Sequence, residues 1–445
     1  MNYGVFIGII VILAIASIWV GISTTRKTKN NKEYYLSGRN LSIFGLTLTF
    51  LATQLGGGAL IGNAQAAYEY GWKSIYYSGG LSLGLIALSL GLGARFRKLN
   101  ISTLPELMTK QYHSKTLRNL ATFLSVTSLF FILIALEVAA RKFFIAIGVE
   151  STLVFMAFWS VAIIYTVFGG LTAVVKTDIF QILFIAVVLI IVGVMIFFTD
   201  TVAPIGDLLQ APASKAIPWC DWLLMPFLFV IIGQDMGQRC FAAKSPRAVS
   251  ISTFAAGISL LLLSLIPTYL GMQAAFLNPG MSLEGSILMQ FVEQITSPVM
   301  TSFFAAGVLM AIMSTADSLI CSISLNISYD LLPLISQKQS EKVGIARLIT
   351  FLVGFSALLL STFVDEIIAM MVFAYKISIL TFFVPLIMCL FLKRPRKSAA
   401  WTAIITGIVG FLVAEKLDIP IDFYTIALST ILFLVVQGMR PRIKT

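Results

Sequence analysis

The 445-residue sequence is divided into apolar runs of about 20 residues that are separated by short polar segments. A helix of ~20 apolar residues is long enough to cross the ~30 Å hydrocarbon core of a bilayer. Hydrophobic residues make up 58% of the chain and charged residues only 11%, whereas soluble domains are ~45–50% apolar. The sequence therefore predicts an all-α polytopic membrane protein with about 13 transmembrane helices that contact the lipid bilayer.

The net charge of +11 could suggest a nucleic-acid partner, but the positions of Lys and Arg argue against one. They lie in alternate loops between the apolar runs, for example at 26–32, 95–98 and 393–397. Cytoplasmic loops of membrane proteins carry such an excess of basic residues. We therefore predict no nucleic-acid binding, an N-terminus outside, a C-terminus in the cytoplasm, and a location in the plasma (inner) membrane of a bacterium.

Glycine-interrupted segments indicate an internal repeat. Gly56, Gly57 and Gly58 interrupt one apolar run, and Gly233 and Gly237 interrupt another at the matching place further along the chain. A five-helix unit that is repeated once has the opposite orientation the second time, and paired broken helices point to a binding site at the membrane midplane. Within a single domain at 1–445, the predicted parts are an extra N-terminal helix at 3–24, five-helix repeats at 43–199 and 219–392, and two C-terminal helices at 399–438.

The stretch Ala311-Ile-Met-Ser-Thr-Ala-Asp-Ser318 has the spacing of a cation site. Ala311, Ser314 and Thr315 are spaced i, i+3, i+4, so a carbonyl and two hydroxyls lie on one helical face. The glycines at 56–58 weaken the upstream helix and free the carbonyls of Ala52 and Leu55. The alternative is that the hydroxyls bond only within their own helix and the glycines only allow close packing.

Several segments in order along the chain resemble the sodium:solute symporter family, in particular its choline-transporter and proline-symporter branches. They are Tyr34-Tyr-Leu-Ser-Gly-Arg39, Ala52-Thr-Gln-Leu-Gly-Gly-Gly58, Thr103-Leu-Pro-Glu106, Gly169-Gly-Leu-Thr-Ala-Val-Val-Lys-Thr-Asp-Ile-Phe-Gln181, Gln238-Arg-Cys-Phe-Ala-Ala-Lys244 and Ala311-Ile-Met-Ser-Thr-Ala-Asp-Ser318. The resemblance implies a LeuT-type 5+5 inverted repeat with an extra N-terminal helix. It also implies a single transporter domain and symport of a solute with Na⁺ as the coupling ion, by alternating access. The sodium site of the family corresponds to Ala52, Leu55, Ala311, Ser314 and Thr315.

The sequence departs from both branches where solutes are chosen. Choline-type members have Trp and proline-type members have Asp at the position of Gln54. The solute is therefore predicted only as a small polar organic molecule: an amino acid, a quaternary amine or a carboxylate. Lys376, a single cation in an apolar run, either faces the cavity and favours an anionic or zwitterionic solute, or extends outward to the interface. The candidate cavity residues are Gln54, Gly56, Gly57, Gly233, Gln234 and Lys376.

Other ionisable residues in apolar runs are candidates for function because charge at membrane depth is costly. Asp178 is predicted to attract Na⁺ on its exit path or to act in a gate, with a helix-end salt bridge as the alternative. Glu137 and Arg141 are spaced i, i+4 and are predicted to pair. Asp317 lies two residues past Thr315, on a different helical face, so it is not predicted to bind the ion directly.

Three other interpretations were weighed. A membrane sensor or receptor on a transporter scaffold would normally carry an output domain, and the chain ends at Thr445. A proton-coupled transporter would need a titratable group where Ser314 and Thr315 lie. An enzyme is not expected, since the four Cys are scattered, His113 is the only His, and no carboxylate pair is evident. The oligomeric state is left open.

Overall fold

A computed structural model describes residues 1–25, 28–197, 202–210, 219–281, 286–336, 342–364, 368–417 and 419–439. Within these ranges the protein is all-helical, as predicted, apart from one isolated bridge between Leu41 and Ala243. The α-helices are Tyr3–Thr25, Asn31–Leu36, Ile43–Gln54, Asn63–Tyr70, Ile75–Ala87, Gly93–Lys98, Glu106–Tyr112, Lys115–Ala146, Thr152–Phe197, Ile205–Gln210, Met225–Ile232, Gln234–Ala242, Pro246–Leu277, Ile287–Ile295, Pro298–Asn326, Leu332–Ile335, Val343–Ser361, Ile368–Ser378, Val384–Phe391, Lys397–Leu417 and Asp422–Gly438. Wider or tighter helical turns join them at Ser37–Arg39, Gly58–Gly62, Gly71–Ser74, Leu88–Leu92, Cys220–Leu224, Ile327–Leu331 and Ile379–Phe383.

Nine helical stretches in the described ranges are long and apolar enough to cross a membrane, and a bent pair at Cys220–Ile232 and Gln234–Ala242 makes up to ten. Thr152–Phe197 has 46 residues, which at ~1.5 Å per residue is more than twice the thickness of the hydrocarbon core. It turns at Gly170, where φ is 56°, so its length suits two crossings. The prediction of about 13 crossings counts Thr152–Phe197 as two crossings and includes the shorter helices Ile43–Gln54 and Asp422–Gly438. This number stays a prediction.

The helix Pro298–Asn326, which we call the hydroxyl helix, lies at the centre of the bundle. Its start follows from the sequence, because the Ser297 side chain accepts a hydrogen bond from the Met300 amide and Pro298 occupies the first turn. It packs against Thr152–Phe197, Lys115–Ala146 and Ile43–Gln54. A helix that is apolar on every side belongs in such a core, whereas outer helices expose large apolar side chains that suit lipid contact.

Two helices are broken near the hydroxyl helix. The first broken helix (43–70) leaves the helical conformation at Leu55, where φ is −83° and ψ is 50°. The second broken helix (220–242) is interrupted at Gly233, where ψ is 129°, and bends there by 43°. The first break falls at Leu55, directly before the glycines at 56–58, and the second falls at Gly233, whereas Gly237 lies inside Gln234–Ala242. The repeat boundaries themselves stay predictions.

Candidate functional site

The break in the first broken helix lies directly against the hydroxyl helix because two of its residues have no side chain. A Cβ atom added to Gly56 would lie 2.4 Å from the Thr315 Oγ1, and one added to Gly57 would lie 3.1 Å from Ile312. The first of these distances is below any ordinary contact. Glycine at 56 therefore allows the unwound backbone to reach the hydroxyls of the opposite helix.

Four of the five predicted cation ligands meet at this contact. The Ser314 Oγ lies 3.1 Å from the carbonyl oxygens of both Ala52 and Ala311. The Thr315 Oγ1 lies 3.2 Å from the Ala311 carbonyl and 3.0 Å from the carbonyl of Thr53. Thr53 was not among the predicted residues. Each hydroxyl has one proton and lies within hydrogen-bond distance of two carbonyls, one in its own helix and one at the break, so contacts within the helix do not describe its whole surroundings.

The fifth predicted ligand, Leu55, is fully buried at the break itself. Its ψ of 50° differs by about 90° from the helical value of about −42°, so its carbonyl is turned away from the helix axis. The whole set consists of neutral carbonyl and hydroxyl oxygens, the ligand type that hard cations prefer. The residues therefore fit a small hard cation such as Na⁺.

A buried network of charged and hydroxyl side chains lies one turn further along the hydroxyl helix. Asp178 and Arg239 have no exposed side-chain surface, and their Oδ2 and Nη2 atoms are 3.5 Å apart. Thr49 donates a hydrogen bond to the same carboxylate oxygen (2.5 Å) and accepts one from Arg239 Nε (3.0 Å). Ser318 accepts a hydrogen bond from Arg239 Nη2 (2.5 Å). Asp178 is thus placed beside the candidate cation site, in a buried ion pair.

The network continues to Asp317. Tyr165 donates a hydrogen bond to one of its carboxylate oxygens, and Ser318 donates to the other at 3.2 Å. The Ser318 hydroxyl also bonds to the Ser314 carbonyl (2.8 Å). Ser318 therefore connects the charged network with Ser314 of the candidate cation site.

A central cavity opens beside the break, with about 490 Å³ of empty space counted out to its open side. Gln54, Gly56 and Gly57 line it, as predicted cavity residues, and Thr315 belongs both to the cavity wall and to the cation site. The Gln54 amide nitrogen lies 3.2 Å from the Met236 sulfur. The remaining lining residues are Thr53, Gly58, Ala59, Tyr77, Leu81, Ile132, Leu136, Phe229, Asp235, Leu319 and Tyr375.

Comparison with known proteins identifies the family. The model of the sodium:solute symporter family matches residues 34–407, which is most of the chain. The chain belongs to the sodium:solute symporter family. Its relatives are transporters and not enzymes, and they favour sodium-coupled solute symport over a sensor or receptor.

Relatives with different named solutes have similar levels of identity. The chain is 23% identical to the sodium/pantothenate symporter of Haemophilus influenzae over 98% of this chain and 95% of the relative. It is 24% identical to the human high affinity choline transporter 1 over 90% and 75% of the two chains. It is 26% identical to the osmoregulated proline transporter OpuE of Bacillus subtilis over 90% and 86%.

Solved structures place the symporter in the LeuT-type fold. A Na⁺-coupled sialic acid symporter, in a substrate-bound outward-open state, superposes with a TM-score of 0.79 at 19% identity, covering 97% of this chain and 96% of that one. Mhp1, a nucleobase-cation-symport-1 family transporter, superposes with a TM-score of 0.64 at 15% identity, covering 90% and 92%. At these identities the likeness shows the fold alone.

Two predicted cavity residues of the symporter lie outside the central cavity. Gly233 and Gln234 line a separate space of about 350 Å³ together with Pro105 and Ser378. The Gln234 Oε1 accepts a hydrogen bond from the Leu104 amide (2.8 Å). Asp235, which directly follows Gln234, lines the central cavity instead.

Lys376 of the symporter also lies outside the lining of the central cavity. Its ammonium group is 3.0 Å from the Asp422 carboxylate and 3.7 Å from that of Asp221. The neighbouring Tyr375 lines the cavity instead. Successive residues of a helix point about 100° apart, and here Tyr375 faces the cavity while Lys376 faces the two carboxylates. Of the two predicted orientations, the structure therefore places Lys376 away from the cavity, in ion pairs.

The predicted pairing of Glu137 with Arg141 is wrong. Arg141 donates to the carbonyls of Thr362 (3.1 Å) and Val364 (2.9 Å). Among the described residues, the buried Glu137 carboxylate oxygens have no hydrogen-bond partner. The Arg141 side chain extends instead to the end of Val343–Ser361, where carbonyls lack partners within the helix.

Arg239 belongs to the buried network, although no sequence pattern singled it out. Its side chain is fully buried beside Asp178. Gln234–Ala242 follows the break at Gly233 directly and continues the second broken helix into the bundle, which is why Arg239 is buried.

Proposed function

We propose that Na⁺ binds between the break of the first broken helix and the hydroxyl helix, and that a small polar organic solute binds in the central cavity beside it. The ion ligands in this proposal are Ala52, Leu55, Ala311, Ser314 and Thr315. The observation that carries it is the convergence of the Ser314 and Thr315 hydroxyls on carbonyls of the break. A site of neutral oxygens also favours Na⁺ over a proton, which would need a titratable group.

Thr315 and Gly56 supply the coupling in this proposal. Both residues line the cavity, and both belong to the contact at which Na⁺ would bind. Ion binding there would fix the break, and the break forms one wall of the solute site. Two sites that share a structural element affect each other's affinity reciprocally, so Na⁺ raises solute affinity and the solute raises Na⁺ affinity.

Asp178 acts in this proposal on the path by which Na⁺ leaves. Its second carboxylate oxygen, Oδ1, has no hydrogen-bond partner among the described residues. Ser318 lies between this carboxylate network and the Ser314 carbonyl. An ion that leaves the site along the hydroxyl helix would therefore reach the pair of Asp178 and Arg239 next, where the Asp178 Oδ1 offers it an oxygen ligand.

We also propose the orientation predicted from the basic loops, with the N-terminus outside and the C-terminus in the cytoplasm. Several of these loops meet at one end of the bundle: Arg39 donates to the Ile101 carbonyl (2.9 Å) and Arg97 to the Ala243 carbonyl (2.6 Å). Basic residues grouped at one end are typical of the cytoplasmic side. The bacterial relatives support a bacterial plasma membrane.

The direct test of this function is uptake into proteoliposomes of radiolabelled choline, glycine betaine, proline, pantothenate, sialic acid and glucose. An inward Na⁺ gradient with an inside-negative potential is expected to drive accumulation of one of them. One Na⁺ contributes about 2.3 kcal/mol per 100 mV, which corresponds to roughly 50-fold accumulation of a neutral solute. Uptake that follows an inward proton gradient and ignores Na⁺ would contradict the proposal.

Replacing Gly56 with Ala is expected to raise the Na⁺ concentration for half-maximal uptake at least ~10-fold. The new methyl group would lie 2.4 Å from the Thr315 Oγ1, so the break or the hydroxyl must move, and overpacking of this kind costs about 1–3 kcal/mol. Gly62→Ala is the matched control, because a Cβ there meets no atom within 4 Å. Equal Na⁺ dependence of the two variants would show that this contact does not form the site.

A further inference from the structure

Among the described residues that line the central cavity, Asp235 alone has a carboxyl group. This residue lies two positions after the break at Gly233, in the first turn of Gln234–Ala242. It is 5% exposed and lines the cavity together with Gln54 and Thr315.

The position of Asp235 in a helical first turn gives it a structural role, since backbone amides there stabilise negative charge. That role does not account for the whole carboxylate. Its Oδ1 atom is buried and has no hydrogen-bond partner within the described ranges. A buried polar oxygen without a partner is costly and is rare in folded proteins.

The nearest arginine is directed elsewhere. Arg239 lies one helical turn after Asp235 and donates to the main-chain carbonyl of Asp235 (3.0 Å), not to its carboxylate. Its other nitrogens bond with Thr49, Ser318 and Asp178. The Arg239 charge lowers the cost of burying Asp235, but most of it is already balanced by Asp178.

The glycine at the break makes room for the carboxylate. A Cβ atom at Gly233 would lie 2.5 Å from the Asp235 Oδ1. Gly233 therefore affects the cavity indirectly, although it does not line it. A side chain at this position would force the carboxylate to turn.

Aromatic rings surround the rest of the cavity on this side. The rings of Phe229 and Tyr375 are 4.6 Å apart between centroids, and the hydroxyls of Tyr375 and Tyr77 are 3.4 Å apart. The lining residues within the described ranges include no Lys, Arg or His, and the Lys376 ammonium group is held by the Asp422 carboxylate. A carboxylate beside aromatic rings is the combination that attracts alkylammonium groups.

We propose that Asp235 binds the positive group of the transported solute, which is therefore an organic ammonium compound, either a quaternary amine or a zwitterion with an ammonium group. The inference rests on the proposed function, in which the central cavity holds the solute. The ammonium group lies against Asp235 and the rings of Phe229 and Tyr375. A solute that carries only negative charge is repelled by Asp235 and finds no cationic side chain in the cavity wall.

Gln54 fits the remaining polar part of such a solute. It lies on the first broken helix, whereas Asp235 lies on the second, so the two polar groups enter the cavity from different helices. Its amide can donate and accept hydrogen bonds. A zwitterion thus has a carboxylate for its ammonium group and an amide donor for its own carboxylate.

The test is equilibrium binding to the purified, detergent-solubilised protein of radiolabelled choline, glycine betaine and proline, which contain ammonium groups, and of pantothenate, sialic acid and glucose, which do not. Binding is measured in Na⁺ and in K⁺. The variants are Asp235→Asn, Asp235→Glu and, as the matched control, Asp221→Asn, which removes a carboxyl from the same broken helix outside the cavity. ²²Na⁺ binding and thermal unfolding of every variant report whether it is folded.

Wild type is expected to bind an ammonium solute in Na⁺, and Asp235→Asn to weaken this binding at least 10-fold while ²²Na⁺ binding stays within twofold. Asp235→Glu should keep more affinity than Asp235→Asn, and Asp221→Asn should change it less than twofold. Na⁺-dependent binding of pantothenate, sialic acid or glucose alone would overturn the inference and leave the proposed function intact. Unchanged affinity of folded Asp235→Asn for the ammonium solute would also overturn it. Solute binding that is equal in Na⁺ and K⁺ would instead contradict the proposed function.

Discussion

Uptake by a Ser314→Ala/Thr315→Val variant is expected to need about 100-fold more Na⁺ for half-maximal rate than uptake by wild type. Each substitution removes a hydroxyl that lies at the contact between the hydroxyl helix and the break. A hydrogen-bonding group that acts on a charged partner contributes about 1.5–3 kcal/mol. Two such losses together exceed 2.8 kcal/mol, which is about 100-fold in affinity. Val keeps the shape of Thr, so the cavity wall is preserved.

The matched control for this variant is Thr301→Val. Thr301 is a buried residue near the start of the same helix, and its hydroxyl donates a hydrogen bond to the Ser297 carbonyl (3.1 Å). Its replacement removes a hydroxyl from the hydroxyl helix without changing the break. We expect a Na⁺ dependence within twofold of wild type. If both variants lose Na⁺ dependence equally, the effect comes from the helix as a whole and the assigned site is not supported.

Replacing Arg239 with Met is expected to lower the free energy of unfolding by about 3–5 kcal/mol. Removal of one partner from a buried ion pair leaves an uncompensated charge, which has a cost of this size. Asp178 would keep the Thr49 hydroxyl but lose the guanidinium that balances its charge. The measurement is unfolding of purified protein in SDS, followed by intrinsic fluorescence.

The double variant Asp178→Asn/Arg239→Met distinguishes loss of charge balance from loss of packing. Removal of both charges is expected to recover at least half of the lost stability, because a neutral buried pair leaves no unbalanced ion. Lys115→Met is the control, since Lys115 is exposed at the start of its helix, and it should change stability by less than about 0.5 kcal/mol. A double variant as unstable as Arg239→Met alone would show that the ion pair is not the cause.

The positions of the helical residues in the proposed cation site follow from the sequence alone. Ala311, Ser314 and Thr315 lie on one helical face whatever the tertiary structure, because helical periodicity alone decides it. Ala52 and Leu55 came partly from the resemblance to the family, since carbonyls carry no sequence signal. Thr53 was missed for the same reason: which carbonyl faces a hydroxyl depends on the dihedral angles at the break.

The cavity was harder to predict because its lining depends on how each helix is rotated. Lys376 stood out as the single cation of an apolar run, yet it is the neighbouring Tyr375 that lines the cavity. Gln234 was predicted for the cavity, whereas the neighbouring Asp235 and the later Arg239 were not, because the sequence does not tell which side chains of a polar segment face inward. In the structure these residues are buried by surrounding helices, so their polarity reflects partners within the protein and not solvent.

The fold was predictable to a greater extent than the solute site. Apolar runs of transmembrane length and glycine breaks are properties of single segments, and they survive any rotation of the helices. The pairing of Glu137 with Arg141 shows the limit of such local rules. Their spacing permits a pair, but Arg141 reaches the carbonyls of Thr362 and Val364, which only the tertiary structure places nearby.

Equilibrium binding of ²²Na⁺ to purified wild-type protein and to Ser314→Ala/Thr315→Val is the most direct test of the proposed cation site. Wild type is expected to show saturable binding that excess K⁺ does not displace. The double variant, shown by thermal unfolding to be folded, is expected to show no saturable binding in the same concentration range. Equal ²²Na⁺ binding by the two proteins would contradict the assignment of the ion to the break of the first broken helix.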